Sequence, residues 1–222
     1  MSTARTPLAP DRHRQESSGT TALPGSAYEM RSLHTGAERA EAAALVEERL
    51  GWLTHRGLPV PARSDVPALF RDPRCRSVGL FEDDVLIGCM ILDERADYAH
   101  WGVHGVSHPA LFLGHVHTLP GHSDDVIRLI TLWASDYAAR RGLPYVRAEA
   151  LARHHLSVDP IARFLDRLKN MGWAIQGTGP GADGERRVRL ELPAELRPRL
   201  APLIACTVAP PHQGPAGSGG AS

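Results

Sequence analysis

Apolar side chains recur along this chain with two periods, about two and about 3.6 residues, and the switches between them mark the elements. Residues 28–33 alternate and predict a first strand. Thr35, three residues before Glu38, forms a capping box that opens an Ala/Glu/Leu-rich helix running to about Arg56, where Gly57 stops it. Ser64 and Asp65 cap a short second helix through Phe70. Residues 76–81 and 85–92 are apolar runs joined by Glu82, Asp83 and Asp84, the pattern of a hairpin. Gly88 in the second run marks a bulge or a close approach. Residues 93–109 predict a long loop holding His100, Trp101, His104 and His108; a loop of that length is often a lid. Residues 110–119 predict a strand ended by Pro120. A helix follows over 124–141, with Val126, Ile130, Trp133 and Tyr137 on one stripe and Leu129 and Leu132 widening it. After Gly142 come a strand at 145–151 and a helix opened by Asp159 and Pro160, whose face is Ile161, Phe164, Leu165, Leu168 and Met171. Residues 173–176 and 187–192 predict two closing strands around a Gly-rich turn. The order β-α-α-β-β-β-α-β-α-β-β describes a mixed α/β (α+β) domain with a mostly antiparallel sheet and helices on both faces.

Composition narrows the class. The chain has 222 residues with 25 basic and 25 acidic side chains, the size of one domain with loose ends. Zero net charge argues against a nucleic-acid partner, which would call for a basic patch. Lys169 is the only lysine, and the abundance of Arg, Ala, Gly and Pro reads as a GC-rich bacterial genome. Cys75, Cys89 and Cys206 have no disulfide or zinc spacing, so a reducing cytoplasm is expected. No run approaches the roughly 20 apolar residues of a membrane span, so no membrane partner is expected. Residues 1–27 are polar and read as a disordered tail without a signal peptide. Residues 28–193 read as the domain, and 194–222 as a mostly disordered extension.

The junction Pro120-Gly121-His122-Ser123-Asp124-Asp125 is where a strand feeds a helix N-terminus, whose unpaired N–H groups commonly hold a phosphate. On this element order, on the hairpin Ser77-Val78-Gly79-Leu80-Phe81…Val85-Leu86-Ile87-Gly88-Cys89, and on the late helix ending Asn170-Met171-Gly172-Trp173, the chain resembles the GNAT-type N-acetyltransferase superfamily. The resemblance covers residues 28–193 and implies a single GNAT-like domain with a six- to seven-stranded sheet splayed at its centre. It also implies acetyl transfer from acetyl-CoA, as co-substrate, to an amine on a small molecule or a protein. The exposed N–H groups of the family's fourth strand, here Val116, His117, Thr118 and Leu119, would polarise the thioester and grip the pantetheine arm. The helix start Ser123, Asp124, Asp125, Val126, Ile127 and Arg128 would hold the diphosphate.

Two departures stand out. The family's Arg/Gln-x-x-Gly-x-Gly/Ala loop becomes His122, Ser123, Asp125 and Ile127 at its key positions, and Asp124 and Asp125 add negative charge. The family's tyrosine acid falls on Leu168. His117 is the candidate general base, since a histidine near its free pKa of about 6.5 suits that role, with half-buried structural histidine as the plain reading. Glu149 is a second candidate base, with an ion pair to Arg147 as its plain reading. Ser123, Asp124 and Asp125 read equally well as an optimised helix cap. The run His100, His104, His108, His115, His117 and His122 is compatible with a metal site, but no metal is expected. The rival function is a non-catalytic domain binding a partner or small molecule in the same cleft. A sheet edge after Leu192 offers a surface for a homodimer.

Overall fold

The computed structural model of the chain describes residues 26–102, 108–121, 123–153, 155–156 and 159–208, with the side chains of Ser123 and Asp124 also outside the described set. Eight strands form one sheet: β1 (Tyr28–Ser32), β2 (Ser77–Glu82), β3 (Val85–Asp93), β4 (Ala110–Thr118), β5 (Tyr145–Leu151), β6 (Ala174–Pro180), β7 (Arg186–Pro193) and β8 (Ile204–Cys206). The described helices are α1 (Gly36–His55), α2 (Val66–Arg71), α3 (Ser123–Arg140) and α4 (Ala162–Asn170), with a short 3-10 turn at Ala99–Trp101. The strand order is β6-β7-β5-β4-β3-β2-β1-β8. Among the described residues, only β4–β5 and β1–β8 are parallel pairs.

Local chemistry accounts for the boundaries. Glu38 N–H donates to Thr35 Oγ1 at 3.1 Å and Thr35 N–H to Glu38 Oε2 at 2.8 Å, the reciprocal capping box expected from the sequence. Asp65 caps α2 by accepting from Ala68 N–H at 3.1 Å. Asp83 and Asp84 both take positive φ, 47° and 65°, which gives the β2–β3 turn the twist that a two-residue hairpin needs. Asp159 accepts from Ile161 N–H at 3.1 Å and so starts the turn into α4.

The sheet separates two apolar layers. On one face α1 and α2 bury Ala42, Val46, Val66 and Phe70 against Leu33, Phe81 and Cys89. On the other, α3 and α4 bury Val126, Ile130, Trp133, Leu165 and Leu168 against strand residues from β1 to β7. Gly88 allows α3 to sit close: a Cβ there would lie 3.1 Å from Val126 Cγ1 and 3.4 Å from Ile130 Cδ1. The close approach proposed by its position in the strand is therefore made by a helix.

The sheet has one strand more than the six to seven expected. Residues 194–208 lie in the described structure and are tied to the domain. Ser135 Oγ donates to Pro193 O at 2.9 Å, Arg197 N–H donates to Asp136 Oδ1 at 2.6 Å, and Leu200 and Ile204 are buried. Residues 204–206 then pair with β1. Leu192 lies in β7, flanked by β5 and β6, so the two sheet edges are β6 and β8. No helix among the described residues is long and apolar enough to cross a membrane.

Gly88→Val should overpack the α3 contact and lower stability by about 1–3 kcal/mol, read as a fall in Tm of roughly 2–4 °C per kcal/mol. Gly36→Ala, where a Cβ meets nothing within 4 Å, is the neutral control. An equal Tm for parent and Gly88→Val would contradict this packing.

Candidate active site

β4 and β5 share a parallel ladder only from Ala110↔Tyr145 to Leu113↔Ala148. Both strands continue, β4 to Thr118 and β5 to Leu151, without further pairing to each other. The parting coincides with a bulge. Cys89 of β3 faces His117 and Ile91 faces Gly114, so His115 and Val116 together stand opposite Met90. His115 takes φ of 50°, the left-handed conformation that one class of bulge places, usually with glycine, at its first residue. The bulge also shifts the phase of the strand. Before it, Leu111 and Leu113 belong to the α3 layer; after it, Val116 does. Beyond the bulge, Leu119 N–H donates back to Ile87 O at 3.0 Å. Strand alternation then turns the Thr118 and Val116 N–H groups toward the opposite edge, where β5 has left.

The gap runs toward the N-terminus of α3. Gly121 enters this turn at φ of 97°. Of the candidate residues here, Asp125 and Arg128 are exposed, Ile127 is half-buried, and Val126 is core. His122 and the side chains of Ser123 and Asp124 lie outside the described residues. The surroundings are acidic: a hydrogen bond to Glu82 first, then burial and the charges of Glu82 and Asp125, raise the pKa of Tyr28. An anion at this end therefore meets unpaired helix N–H groups and carboxylate repulsion together.

The opposite face of the sheet carries the polar side chains. His117 is 9% exposed and meets the Phe70 ring edge-on at 6.4 Å. Burial, with smaller contributions from the charges of His115 and Arg49, depresses its pKa from 6.5 to about 3. The expectation of a free value near neutrality at His117 thus does not hold, because α1 and α2 cover the ring and leave the imidazolium unsolvated. His115 is shifted down as well, chiefly by burial and then by the charge of Arg187.

Glu149 is the first β5 residue beyond the last β4–β5 pair. Its partner is not Arg147, as the sequence suggested. Arg147, 1% exposed, binds Glu191 at 2.9 Å and stacks against Tyr98 and Trp101. Glu149 Oε1 instead takes the Trp101 indole N–H at 2.6 Å and lies 2.6 Å from His100 Nε2. The sequence singled out all three residues but held no sign that a loop 48 and 49 positions away closes on this carboxylate. Also unforeseen is the wall formed by the β6–β7 hairpin. Arg187 binds Asp183 and Glu185, Arg63 donates to Asp183 O at 2.8 Å, and Ala62 N–H donates to Glu185 Oε1 at 3.0 Å.

His117 sets an acid limit on the fold. Its native pKa is below its unfolded value, so between about pH 6.5 and 3 the unfolded chain binds more protons, and stability falls as pH falls through that window. Replacing His117 with Gln should remove a few kcal/mol of that loss (order of magnitude, at about 1.36 kcal/mol per pKa unit). Urea unfolding at pH 7 and pH 4 measures it; identical pH slopes in parent and H117Q would refute the buried, neutral imidazole.

No protein-family model matches the chain, and no curated protein matches its sequence. Solved structures do match its fold. A GNAT-family acetyltransferase from Listeria monocytogenes superposes with a TM-score of 0.55 at 12% identity, covering 78% of this chain and 98% of its own. An N-acetyltransferase from Staphylococcus aureus gives 0.53 at 12% identity, covering 75% and 97%. An N-acyl amino acid synthase from uncultured soil microbes gives 0.51 at 16% identity, covering 75% and 91%. With the parted β4–β5 pair, the bulge and the helix order all in place, the chain has the GNAT-type N-acetyltransferase fold.

Proposed function

We propose that this protein transfers an acetyl group from acetyl-CoA to an amine by direct attack within a ternary complex. The observation that carries this reading is the parting of β4 from β5 beyond Leu113 and Ala148, beside a bulge that turns backbone N–H groups into the gap. A thioester carbonyl placed there gains hydrogen-bond donors aimed at the oxygen where charge develops, and these need no particular side chain. Val116, His117, Thr118 and Leu119 form that strand, and the Val116 and Thr118 N–H groups supply the donors and the grip on the pantetheine arm. The first-turn amides from Ser123 to Arg128 hold the diphosphate, with Arg128 supplying a cation one turn in. The names of the matched structures, which describe acyl transfer to nitrogen, support this by analogy of fold alone.

His117 is a poor base, since its depressed pKa leaves little driving force for taking a proton from an ammonium. It serves better as a neutral wall of the acceptor cleft. Glu149, at the mouth of the fork, is the retained candidate for a part in proton transfer, directly or through a group that it holds. A second reading, a non-catalytic domain that binds a partner or small molecule in this cleft, draws on Leu168. It is 5% exposed within the apolar core, at the position where the family resemblance places its acid, and provides no proton for a leaving thiolate.

Acetyl-CoA binding tests the proposal. Ligand at 100 times its dissociation constant should add about 2.7 kcal/mol, visible as a rise in Tm with a matching calorimetric isotherm. No stabilisation at millimolar acetyl-CoA removes the transferase reading, and binding without thiol release on incubation with amines favours the non-catalytic one. Asp125→Asn should tighten acetyl-CoA binding several-fold, because a carboxylate about 4 Å from a phosphate repels it by roughly 1 kcal/mol even in water. Weaker binding in Asp125→Asn would place the diphosphate elsewhere.

A further inference from the structure

We infer that His100 is the proton acceptor for the incoming amine, and that Glu149 and Trp101 are the residues that position it; the inference rests on the acetyl-transfer reading above. Three observations converge. Glu149 stands at the first β5 position past the β4–β5 ladder, so groups attached to it lie at the fork rather than along the closed part of the sheet. Its Oε1 takes the Trp101 indole N–H and contacts His100 Nε2, both at 2.6 Å. His100 itself is anchored from β7, where the Arg189 guanidinium binds its carbonyl oxygen.

A carboxylate can only accept, so the ring nitrogen facing Glu149 carries the hydrogen. That fixes the tautomer and leaves the lone pair on Nδ1, which has no hydrogen-bond partner among the described residues. His100 remains partly open, with 20% of its side chain exposed, whereas Glu149 is more enclosed at 10%. Two donors thus converge on one oxygen of a sheltered carboxylate, and the imidazole that it holds is partly open to solvent. A carboxylate that orients a histidine and stabilises its protonated form is the arrangement of a relayed general base. The charged groups in contact with this cluster are Arg147 on β5, over the Trp101 ring, and Arg189 on β7, bound to the His100 carbonyl.

The step balances as follows. An acceptor ammonium gives one proton to His100 Nδ1. The free amine attacks the thioester carbon, forming the C–N bond, and the C–S bond breaks with its electron pair on sulfur. The thiolate takes the second proton that the nitrogen sheds, and the His100 imidazolium returns its proton to water. The products are the acetylated amine, CoA thiol and one released proton.

The test uses the full chain with acetyl-CoA and a set of primary amines (spermidine, benzylamine and glycylglycine), following thiol release, which also reports slow transfer to water. His100→Ala should lower kcat by roughly 100-fold or more, the range of general base catalysis, with KM for acetyl-CoA unchanged. Free imidazole should restore part of the lost rate, which a merely structural role for His100 would not allow. Long-range proton–nitrogen NMR on histidine-labelled protein should show His100 with its hydrogen on Nε2, a preference weakened in Glu149→Gln and in Trp101→Phe. That arm needs no acceptor. A His100→Ala rate within twofold of parent, or His100 with its hydrogen on Nδ1, overturns the inference. Calorimetry of acetyl-CoA with the same variants separates the outcomes: intact binding leaves the fold-based reading standing, whereas absent binding in the parent removes that reading itself.

Discussion

Two parallel strands share a ladder only while both stay in register and in plane, and β4 abandons that condition at His115. One residue beyond the count of its β3 partner forces a left-handed backbone and re-aims the strand. The position of the candidate site follows from it. The freed edge of β4 faces the place where β5 would have run, α3 begins at the end of the gap, and Glu149 stands at its mouth. Backbone donors that a continued ladder would have spent on β5 are left to this gap.

Much of this architecture was legible in the sequence because it is written in local terms. A capping box needs four consecutive residues, Thr35 to Glu38, and forms as read. The α3 stripe of Val126, Ile130, Trp133 and Tyr137 is a single-helix pattern, and it is buried as read. Features defined by two distant segments were not legible. A bulge exists only relative to the partner strand, so no pattern in residues 110–118 announced His115 as the inserted one. The tight seat of α3 on Gly88 depends on Val126 and Ile130, and the glycine alone signalled only a bulge or a close approach.

The candidate site shows the same division. His117 was picked for its chemistry, but its protonation is decided by α1 and α2, which lay Phe70 and the charge of Arg49 beside it. Glu149 was placed correctly on its strand and assigned the wrong neighbour. Alternation put Arg147 on the same face, yet the cross-strand register gave that arginine Glu191 and left Glu149 to the loop. Burial of both charges is tolerable because each has its own partner.

The β1–β8 pair carries a topological consequence. Tyr28 N–H donates to Leu203 O at 3.2 Å and Thr207 N–H to Met30 O at 2.9 Å, so the first and last strands run side by side along one margin. The two strands are parallel, so residues 26 and 208 lie at opposite ends of that margin. A link between them would have to return along the whole edge as a crossover of about a dozen residues or more, so this margin ties the first strand to the last without bringing the described ends of the chain together.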